Sequence, residues 1–164
     1  MSSDGSTVLF QAVPPGQKFS TEEKRTLKGF VQLLSNRVVE GRSFVCLLTN
    51  DRQLRRLNRD FLGHDYATDV LSFQAADSHS LGELAISVER AAIQAVEFGH
   101  DRLEEIRILM LHGVLHLAGM DHEQDGGQMA RAERKWRDAF GLPTTLITRS
   151  RSRRQPEIHL EAGL

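Results

Sequence analysis

The sequence predicts an α+β domain in which a mixed β-sheet packs with helices around a buried central helix. Three observations support this fold class. Short apolar segments typical of strands are interspersed with amphipathic segments of helical period. One segment, residues 103–118, is apolar on nearly all sides, as in a helix at the centre of a fold. The length of 164 residues, with 40% hydrophobic and 26% charged residues, is that of one ordinary globular domain.

Apolar runs and a helix start signal define the first three elements. An apolar run predicts a strand over residues 7–13. Ser20 and Glu23 stand three residues apart, as in a capping box, and predict the start of a helix over residues 21–39. A second apolar run predicts a buried strand over residues 44–48.

A short amphipathic helix follows the second strand. Asn50 is suited to cap its start, and Gly63 ends it. When its residues are placed at helical spacing, an inward apolar face and a basic face lie on opposite sides of the helix. The apolar face consists of Leu54, Leu57 and Phe61, and the basic face of Arg52, Arg55, Arg56 and Arg59.

Two strands and a helix are predicted next. Residues 68–73 and 81–86 have the composition of strands and are joined by a polar loop. Ser87 is suited to cap a helix whose period continues to Gly99. The pattern does not fix the order of the strands in the sheet.

The last two helices are the predicted central helix and an amphipathic one. Asp101 and Glu104 repeat the capping-box spacing ahead of the apolar segment. Gly119 suits the end of this segment, where a left-handed residue is favoured. A final helix over about residues 126–140 is predicted to present four side chains to the core, namely Met129, Ala132, Trp136 and Phe140.

The charge balance is nearly neutral and uneven along the chain. Twenty-one basic and 22 acidic residues give a net charge of -1. The segment 149–164 holds four arginines and two glutamates, so residues 1–148 carry 17 basic against 20 acidic side chains. We therefore predict one domain over residues 1–148 and an arginine-rich, disordered tail over residues 149–164.

Composition also excludes several classes of protein. The longest apolar segment is too short to span a bilayer, and the first residues do not resemble a signal peptide. The single cysteine, Cys46, excludes a disulfide within the chain. We expect a cytoplasmic protein with no membrane partner.

Three of the seven histidines fall within eleven residues of the chain. His112 and His116 have the i, i+4 spacing that places two imidazoles on one face of a helix. Gly119 allows the chain to turn out of the helix, which brings His122 back toward the same point. Three imidazoles with an open fourth position are typical of catalytic zinc, although nickel, copper and iron accept the same ligands. The alternative, three buried histidines satisfied by hydrogen bonds alone, is disfavoured by the cost of burying them.

The spacing H-x-x-x-H-x-x-G-x-x-H is that of the metzincin proteases, a zincin-like motif. In those enzymes a glutamate follows the first histidine and acts as the general base, whereas this chain has Gly113 there. General-base help is typically worth about 10²–10⁴-fold in rate. The pattern therefore favours a metal site and disfavours a peptidase.

The whole stretch from His112 to His122 resembles the signature of the YbeY family, bacterial zinc-dependent endoribonucleases linked to ribosomal RNA maturation. Further blocks are similar in order and spacing, and together they extend the resemblance over roughly residues 7–145. These blocks are Leu57-Asn58, Gly63, Asp65, residues 68–73 and residues 81–83.

The resemblance implies a single-strand-specific, metal-dependent endoribonuclease in ribosomal RNA processing and ribosome quality control, with one zinc ion per chain. It implies a small-subunit ribosomal RNA precursor as substrate, and the ribosome or its proteins as partners. Zinc lowers the pKa of a bound water to about 7 and polarises phosphoryl oxygens, so RNA cleavage can proceed without a protein base. Asp121 is a candidate for orienting a histidine or assisting proton transfer, with a role in the turn as the alternative.

One departure from the family pattern concerns the phosphate. The family has an arginine just before Gly63, where this chain has Leu62. The resemblance implies that this arginine holds the scissile phosphate, so its absence implies a lower catalytic efficiency. Arg55 and Arg59, one helical turn apart, are candidates to compensate by contacting the RNA backbone, against the alternative of an ordinary solvated face.

Two other functions compete with the endoribonuclease. A non-catalytic ribosome-associated factor stabilised by zinc is favoured by Leu62, and a metalloprotease is disfavoured by Gly113. The catalytic residues beyond the metal ligands, the nucleophile and the cleavage site are not predictable from the sequence.

Overall fold

The computed structural model describes residues 5–76, 80–120 and 126–144. Within these ranges the chain forms four strands, five α-helices and one 3₁₀ turn at Pro15–Gln17. The strands are β1 (Thr7–Phe10), β2 (Ser43–Thr49), β3 (Val70–Gln74) and β4 (Ser80–Ser87). The helices are α1 (Thr21–Arg37), α2 (Asp51–Leu62), α3 (Val88–Phe98), α4 (Arg102–Leu117) and α5 (Gln128–Ala139).

The strands form one mixed sheet with the order β1-β2-β4-β3. β1 pairs with β2 in parallel, and β2 pairs with β4 in parallel, whereas β3 runs antiparallel to β4. The two parallel pairs need crossover connections, which the helices provide. This arrangement confirms the predicted α+β class with a mixed sheet.

The two faces of the sheet are covered differently. Along β4, Leu84 and Ile86 point into the main core, while Ala85 points into a second, smaller cluster. This alternation is the period of a strand. The main core lies among α1, α3, α4 and one face of the sheet, and the second cluster lies between α2 and the other face. α2 and α4 therefore pack on opposite faces of the sheet.

The structure confirms the predicted helix starts. Ser20 and Glu23 form both hydrogen bonds of the capping box at α1, and Asp101 and Glu104 do the same at α4. At α2, the Asn50 side chain accepts a hydrogen bond from the Gln53 backbone N–H at 2.7 Å. Ser87 caps α3 in the same manner. These side chains satisfy backbone donors that the first helical turn leaves unpaired.

Three elements are shorter at one end than predicted. The first strand ends at Phe10 rather than at residue 13, because Ala12 adopts a left-handed conformation with φ of 54°. α1 ends at Arg37 rather than at residue 39, just before Glu40 turns left-handed. β3 begins at Val70 rather than at residue 68. A left-handed residue such as Ala12 interrupts the extended backbone of a strand, and sequence patterns do not reveal such a residue when it is not glycine.

The predicted inward face of α2 was wrong at Phe61, and that of α5 was incomplete. Phe61 of α2 is 51% exposed, although it was expected in the core. In α5, Met129, Glu133 and Arg137 are the buried residues, whereas Trp136 and Phe140 pack only partly buried against the core. Ala132 also packs against the core, so the inward face of α5 holds the four predicted residues and, beside them, two charged side chains.

Several predictions concern residues outside the described ranges. His122, Asp121 and the tail at residues 149–164 all lie there. Among the described helices, none has the length and apolar character needed to cross a membrane.

Candidate active site

The two histidines of the central motif lie on the last two turns of α4. This helix is buried along most of its length from Glu105 onward. His116 is only 3% exposed, and the side chain of His112 is 22% exposed. Their rings meet edge to face with centroids 4.7 Å apart. The i, i+4 spacing therefore places two imidazoles side by side where the helix approaches the surface.

Gly119 ends α4 directly after this pair, as predicted. Its φ of 100° lies in the left-handed region that favours glycine. The Gly119 N–H donates to the carbonyl of His116 at 2.9 Å, and the Met120 N–H donates to that of Leu115 at 3.0 Å. This pairing satisfies the last carbonyls of the helix and turns the chain out of it.

Gly113, between the two histidines, contacts the sheet. A Cβ atom at this position would stand 2.7 Å from Cδ2 of Leu84, a side chain that is 1% exposed. The Gly113 carbonyl also accepts a hydrogen bond from the Ser72 hydroxyl at 3.3 Å. At the position that holds the general base in metzincins, α4 therefore lies so close to Leu84 that a glutamate side chain would require Leu84 or the helix to shift.

Glu133 contacts His112 and was missed by the sequence analysis. Its Oε2 lies 3.1 Å from Nδ1 of His112 and 3.9 Å from Nη2 of Arg137. A signal was present in the sequence, because Met129, Glu133 and Arg137 follow one another at i, i+4 spacing and so share a face of α5. Charged residues on the core side of a helix indicate a partner inside the molecule.

The donor chemistry of the histidine pair fits a transition metal such as zinc. Adjacent neutral imidazoles are preferred zinc ligands, and a carboxylate beside one of them is a common companion of such ligands. Within residues 5–76, 80–120 and 126–144, no three His, Cys, Asp or Glu side chains form a metal-binding group. The third predicted ligand, His122, is outside those ranges, and so is Asp121.

The arginines proposed to bind RNA lie on the exposed side of α2. Arg55 Nε donates to Asp65 at 2.7 Å, and Arg59 Nε donates to Asp60 at 3.2 Å. The hydrogen bond from Arg55 holds the pKa of Asp65 below its usual range, and Asp65 raises the pKa of Arg55. Both ion pairs are about half exposed, and exposed pairs of this kind exchange readily with other anions.

Leu62 has a packing role in place of the family arginine. It is partly buried against the second cluster, which consists of Leu54, Leu71 and Ala85. Beside this cluster, a groove of about 430 Å³ separates α2 from the strands, with Phe61, Phe73 and Glu83 among its lining residues. The rings of Phe61 and Phe73 meet edge to face, with their centroids 5.8 Å apart.

Two other blocks of the motif pattern have structural roles. The Asn58 amide is fully buried and donates to the carbonyl of Tyr66 at 3.0 Å, which fixes the chain after α2. Asp69 is 2% exposed and accepts a hydrogen bond from Gln94 at 3.2 Å. These residues hold the connection between α2 and β3, which brings the chain from the arginine-bearing side to the edge of the sheet.

Comparisons with known proteins point to one family. A family model described as Endoribonuclease YbeY matches residues 16–141. A protein named Endoribonuclease YbeY from Solibacter usitatus is 51% identical over 151 residues, which is 92% of this chain and 99% of that protein. A protein of the same name from Koribacter versatilis is 52% identical over 104 residues, or 63% of this chain and 68% of its own.

A solved structure is similar in fold. The solution structure of a Thermotoga maritima protein has a TM-score of 0.56 and 24% sequence identity. It matches 82% of this chain and 89% of its own. At this identity the similarity establishes the arrangement of helices and strands alone.

Proposed function

Since the chain belongs to the YbeY family, we propose that it is a metal-dependent endoribonuclease that cleaves single-stranded RNA during ribosomal RNA maturation. The observation that carries this proposal is the paired imidazoles of His112 and His116 at the end of a buried helix. Family membership supports RNA as the substrate class, and the two imidazoles support metal-dependent chemistry.

His112 and His116 would hold the metal together with His122, and we propose zinc, one ion per chain. Bound zinc supplies a Lewis acid that lowers the pKa of water to about 7 and polarises a phosphoryl oxygen. The remaining groups come from the chain and from the RNA. Asp121 is proposed to orient a histidine or to move a proton beside His122.

The crowded environment of Gly113 supports RNA rather than a peptide as substrate. A peptidase of this motif needs a glutamate there, and the close approach of Leu84 disfavours any side chain at this position. RNA carries its own nucleophile, the 2′-hydroxyl, and so requires less of the protein. The arginines of α2 would then bind the RNA backbone, as point charges that neutralise phosphates.

The proposal extends to the biological setting. A small-subunit ribosomal RNA precursor is the proposed substrate, and the ribosome or its proteins are the proposed partners, with a role in ribosome quality control. The setting is cytoplasmic, and residues 1–148 act as the single functional domain.

A second candidate function is a ribosome-associated factor that keeps zinc for stability and does not cleave RNA. Leu62 favours it, because the side chain at the position of the family arginine packs against the second cluster and offers no donor to a phosphate. The two candidate functions share the metal site and differ only in whether the protein cleaves RNA.

One experiment separates them. Purified full-length protein is analysed for metal content, loaded with zinc, and incubated with single-stranded and structured RNA, with and without a chelator. We expect about one zinc per chain and cleavage of single-stranded RNA that the chelator abolishes. His116→Ala should lose both metal and cleavage, and His64→Ala, which alters a partly buried histidine after α2, should retain both.

The other outcomes are equally informative. RNA binding by zinc-loaded protein without cleavage would support the non-catalytic factor. Absence of stoichiometric metal, or full metal content and cleavage in His116→Ala, would show the site assignment to be wrong. Chelator-sensitive hydrolysis of peptides would instead support a metalloprotease.

A further inference from the structure

We propose that Glu133 is a positioning residue for the metal site, which fixes His112 so that its Nε2 faces the metal. This inference rests on the metal site of the proposed function. It assigns a specific ring nitrogen to the metal and a role to a residue on a different helix.

The geometry of the contact carries the assignment. Oε2 of Glu133 lies 3.1 Å from Nδ1 of His112, within hydrogen-bond distance. A carboxylate only accepts hydrogen bonds, so the proton of the neutral imidazole lies on Nδ1, and Nε2 keeps its lone pair. Since a metal ligand must offer a lone pair, Nε2 is the atom of His112 left to bind.

The surroundings strengthen this hydrogen bond. The side chain of Glu133 is 12% exposed and that of His112 is 22% exposed, so water competes little for either group. A hydrogen bond in such a partly dehydrated place is electrostatically stronger than one in water. The acceptor also comes from α5, which packs on α4, so the contact joins the two helices.

Arg137 holds Glu133 in turn. Its Nη2 stands 3.9 Å from Oε2 of Glu133, one helical turn along α5, and its Nη1 donates to the carbonyl of Pro143 at 3.4 Å. The carboxylate thus stands between a cation and an imidazole, both of which are largely buried. A carboxylate fixed in this way sets the orientation and the tautomer of a metal-binding histidine and increases its basicity.

The test compares zinc affinity of the folded metal-free protein with that of two variants at Glu133. Glu133→Ala removes the acceptor, and Glu133→Gln keeps an acceptor oxygen without the charge. Competition with a chromogenic chelator at fixed pH gives each dissociation constant. We expect zinc to bind about 10–100-fold more weakly to Glu133→Ala, with a smaller loss in Glu133→Gln.

Asp138→Asn is the matched control, because it removes one carboxylate from an exposed position on the same helix. Its zinc affinity should equal that of the unaltered chain. Thermal melting of each metal-free protein reports separately on folding. If Glu133→Ala fails to fold, the zinc affinity of Glu133→Gln alone is compared with that of the unaltered chain.

A spectroscopic measurement reads the assignment directly. In ¹⁵N NMR of the zinc-loaded protein, His112 should show a protonated Nδ1 and a metal-bound Nε2. Coordination through Nδ1 would overturn the inference. So would lower melting temperatures in both Glu133 variants with unchanged zinc affinity, since that is the result of a purely structural contact.

Failure of the inference is distinguishable from failure of the proposed function. If the unaltered chain binds no stoichiometric zinc, both are wrong. If it binds zinc, and His112→Ala abolishes binding while the Glu133 variants bind as tightly as the original, only the role of Glu133 is wrong.

Discussion

Gly113 illustrates how the size of one residue limits the chemistry of a site. The two flanking histidine positions on α4 are shared with the metzincin spacing, but the residue between them contacts Leu84 of the sheet. The missing side chain therefore has a packing reason as well as a chemical consequence. With a glutamate there, either Leu84 or the helix would have to shift.

A pair of glycine substitutions tests this packing. Gly113→Ala should lower the free energy of unfolding by roughly 1 kcal/mol, because about 1–3 kcal/mol of overpacking outweighs the roughly 0.8–1 kcal/mol that alanine gains in a helix. Gly29→Ala in α1, where the added Cβ meets nothing within 4 Å, should instead raise it by about 0.4–1 kcal/mol.

Urea denaturation of both variants gives the two values. A stabilised Gly113→Ala variant would show that Leu84 yields to the added methyl group, and that the helix and the sheet are less closely packed than the structure indicates.

At the scale of single residues, the sequence analysis predicted that His112 and His116 lie together but missed the contact of His112 with Glu133. His112 and His116 share one helix, so their spacing alone determines that their rings meet. Glu133 lies on a separate helix, and its contact with His112 depends on how α5 is rotated against α4. No local pattern determines that rotation, although the buried i, i+4 charges of α5 indicated it.

At the scale of elements, α2 combines two roles on its two sides. Its arginines point to solvent and form exposed ion pairs, while Leu54, Leu57 and Leu62 pack toward the sheet. Leu62 is the last helical residue, next to Gly63, whose φ of 77° ends the helix. A longer side chain there can extend past the helix end and keep its aliphatic part on the cluster.

Replacing Leu62 with arginine tests whether this helix end contacts the scissile phosphate. Leu62→Arg should raise the rate of RNA cleavage about tenfold or more, because a hydrogen bond to a charged group contributes about 1.5–3 kcal/mol. The lost packing should cost less than the roughly 1.5–3 kcal/mol of a fully buried leucine.

Leu62→Met is the control for packing, since it keeps an apolar side chain of similar volume. The measurement is kcat/KM on single-stranded RNA, together with the melting temperature. Equal values of kcat/KM for the arginine and methionine variants would mean that residue 62 does not hold the phosphate in this chain.

The starts of α1 to α4 were easier to predict than the ends of the elements. Each of these four starts rested on a side chain that bonds the first helical turn, such as Ser20 or Asp101, which is a local signal. The ends of β1 and α1 depend on Ala12 and Glu40, which have positive φ without being glycine. Their conformation is imposed from elsewhere. The carbonyl of Ala12, for example, accepts a hydrogen bond from Asn50 at 2.8 Å.

At the scale of the whole molecule, the histidine pair and the arginines lie on opposite faces of the sheet. The sequence could not reveal this, because it depends on the face of the sheet against which each of α2 and α4 packs. β3 lies at one edge of this sheet, beside β4. An RNA strand that contacts both sets must pass around the β3 edge. The route is short, since β3 packs against both α2 and α4.

Salt dependence of RNA binding tests this route. If Arg55 and Arg59 contact phosphates, replacing both with alanine should weaken binding to all single-stranded RNA sequences alike. The slope of log K against log salt should fall by about 1.4, or roughly 0.7 for each lost phosphate contact. Catalysis at saturating RNA should change little, because the arginines lie away from the histidines.

Replacing Arg25 and Lys28 on the exposed side of α1 with alanine gives a control with the same loss of charge. Binding isotherms at four or more salt concentrations supply the slopes. Equal slopes for the two double variants would place the RNA elsewhere on the surface.

The early end of β1 has a further consequence. β1 is an edge strand, and an open edge presents unpaired backbone groups that can recruit a strand of another chain. Here the edge is four residues long, carries the half-exposed Leu9, and is cut off by the left-handed Ala12. An edge strand of this length offers few backbone groups to a strand of another chain. The backbone kink at Ala12 therefore protects the protein from aggregating through this edge.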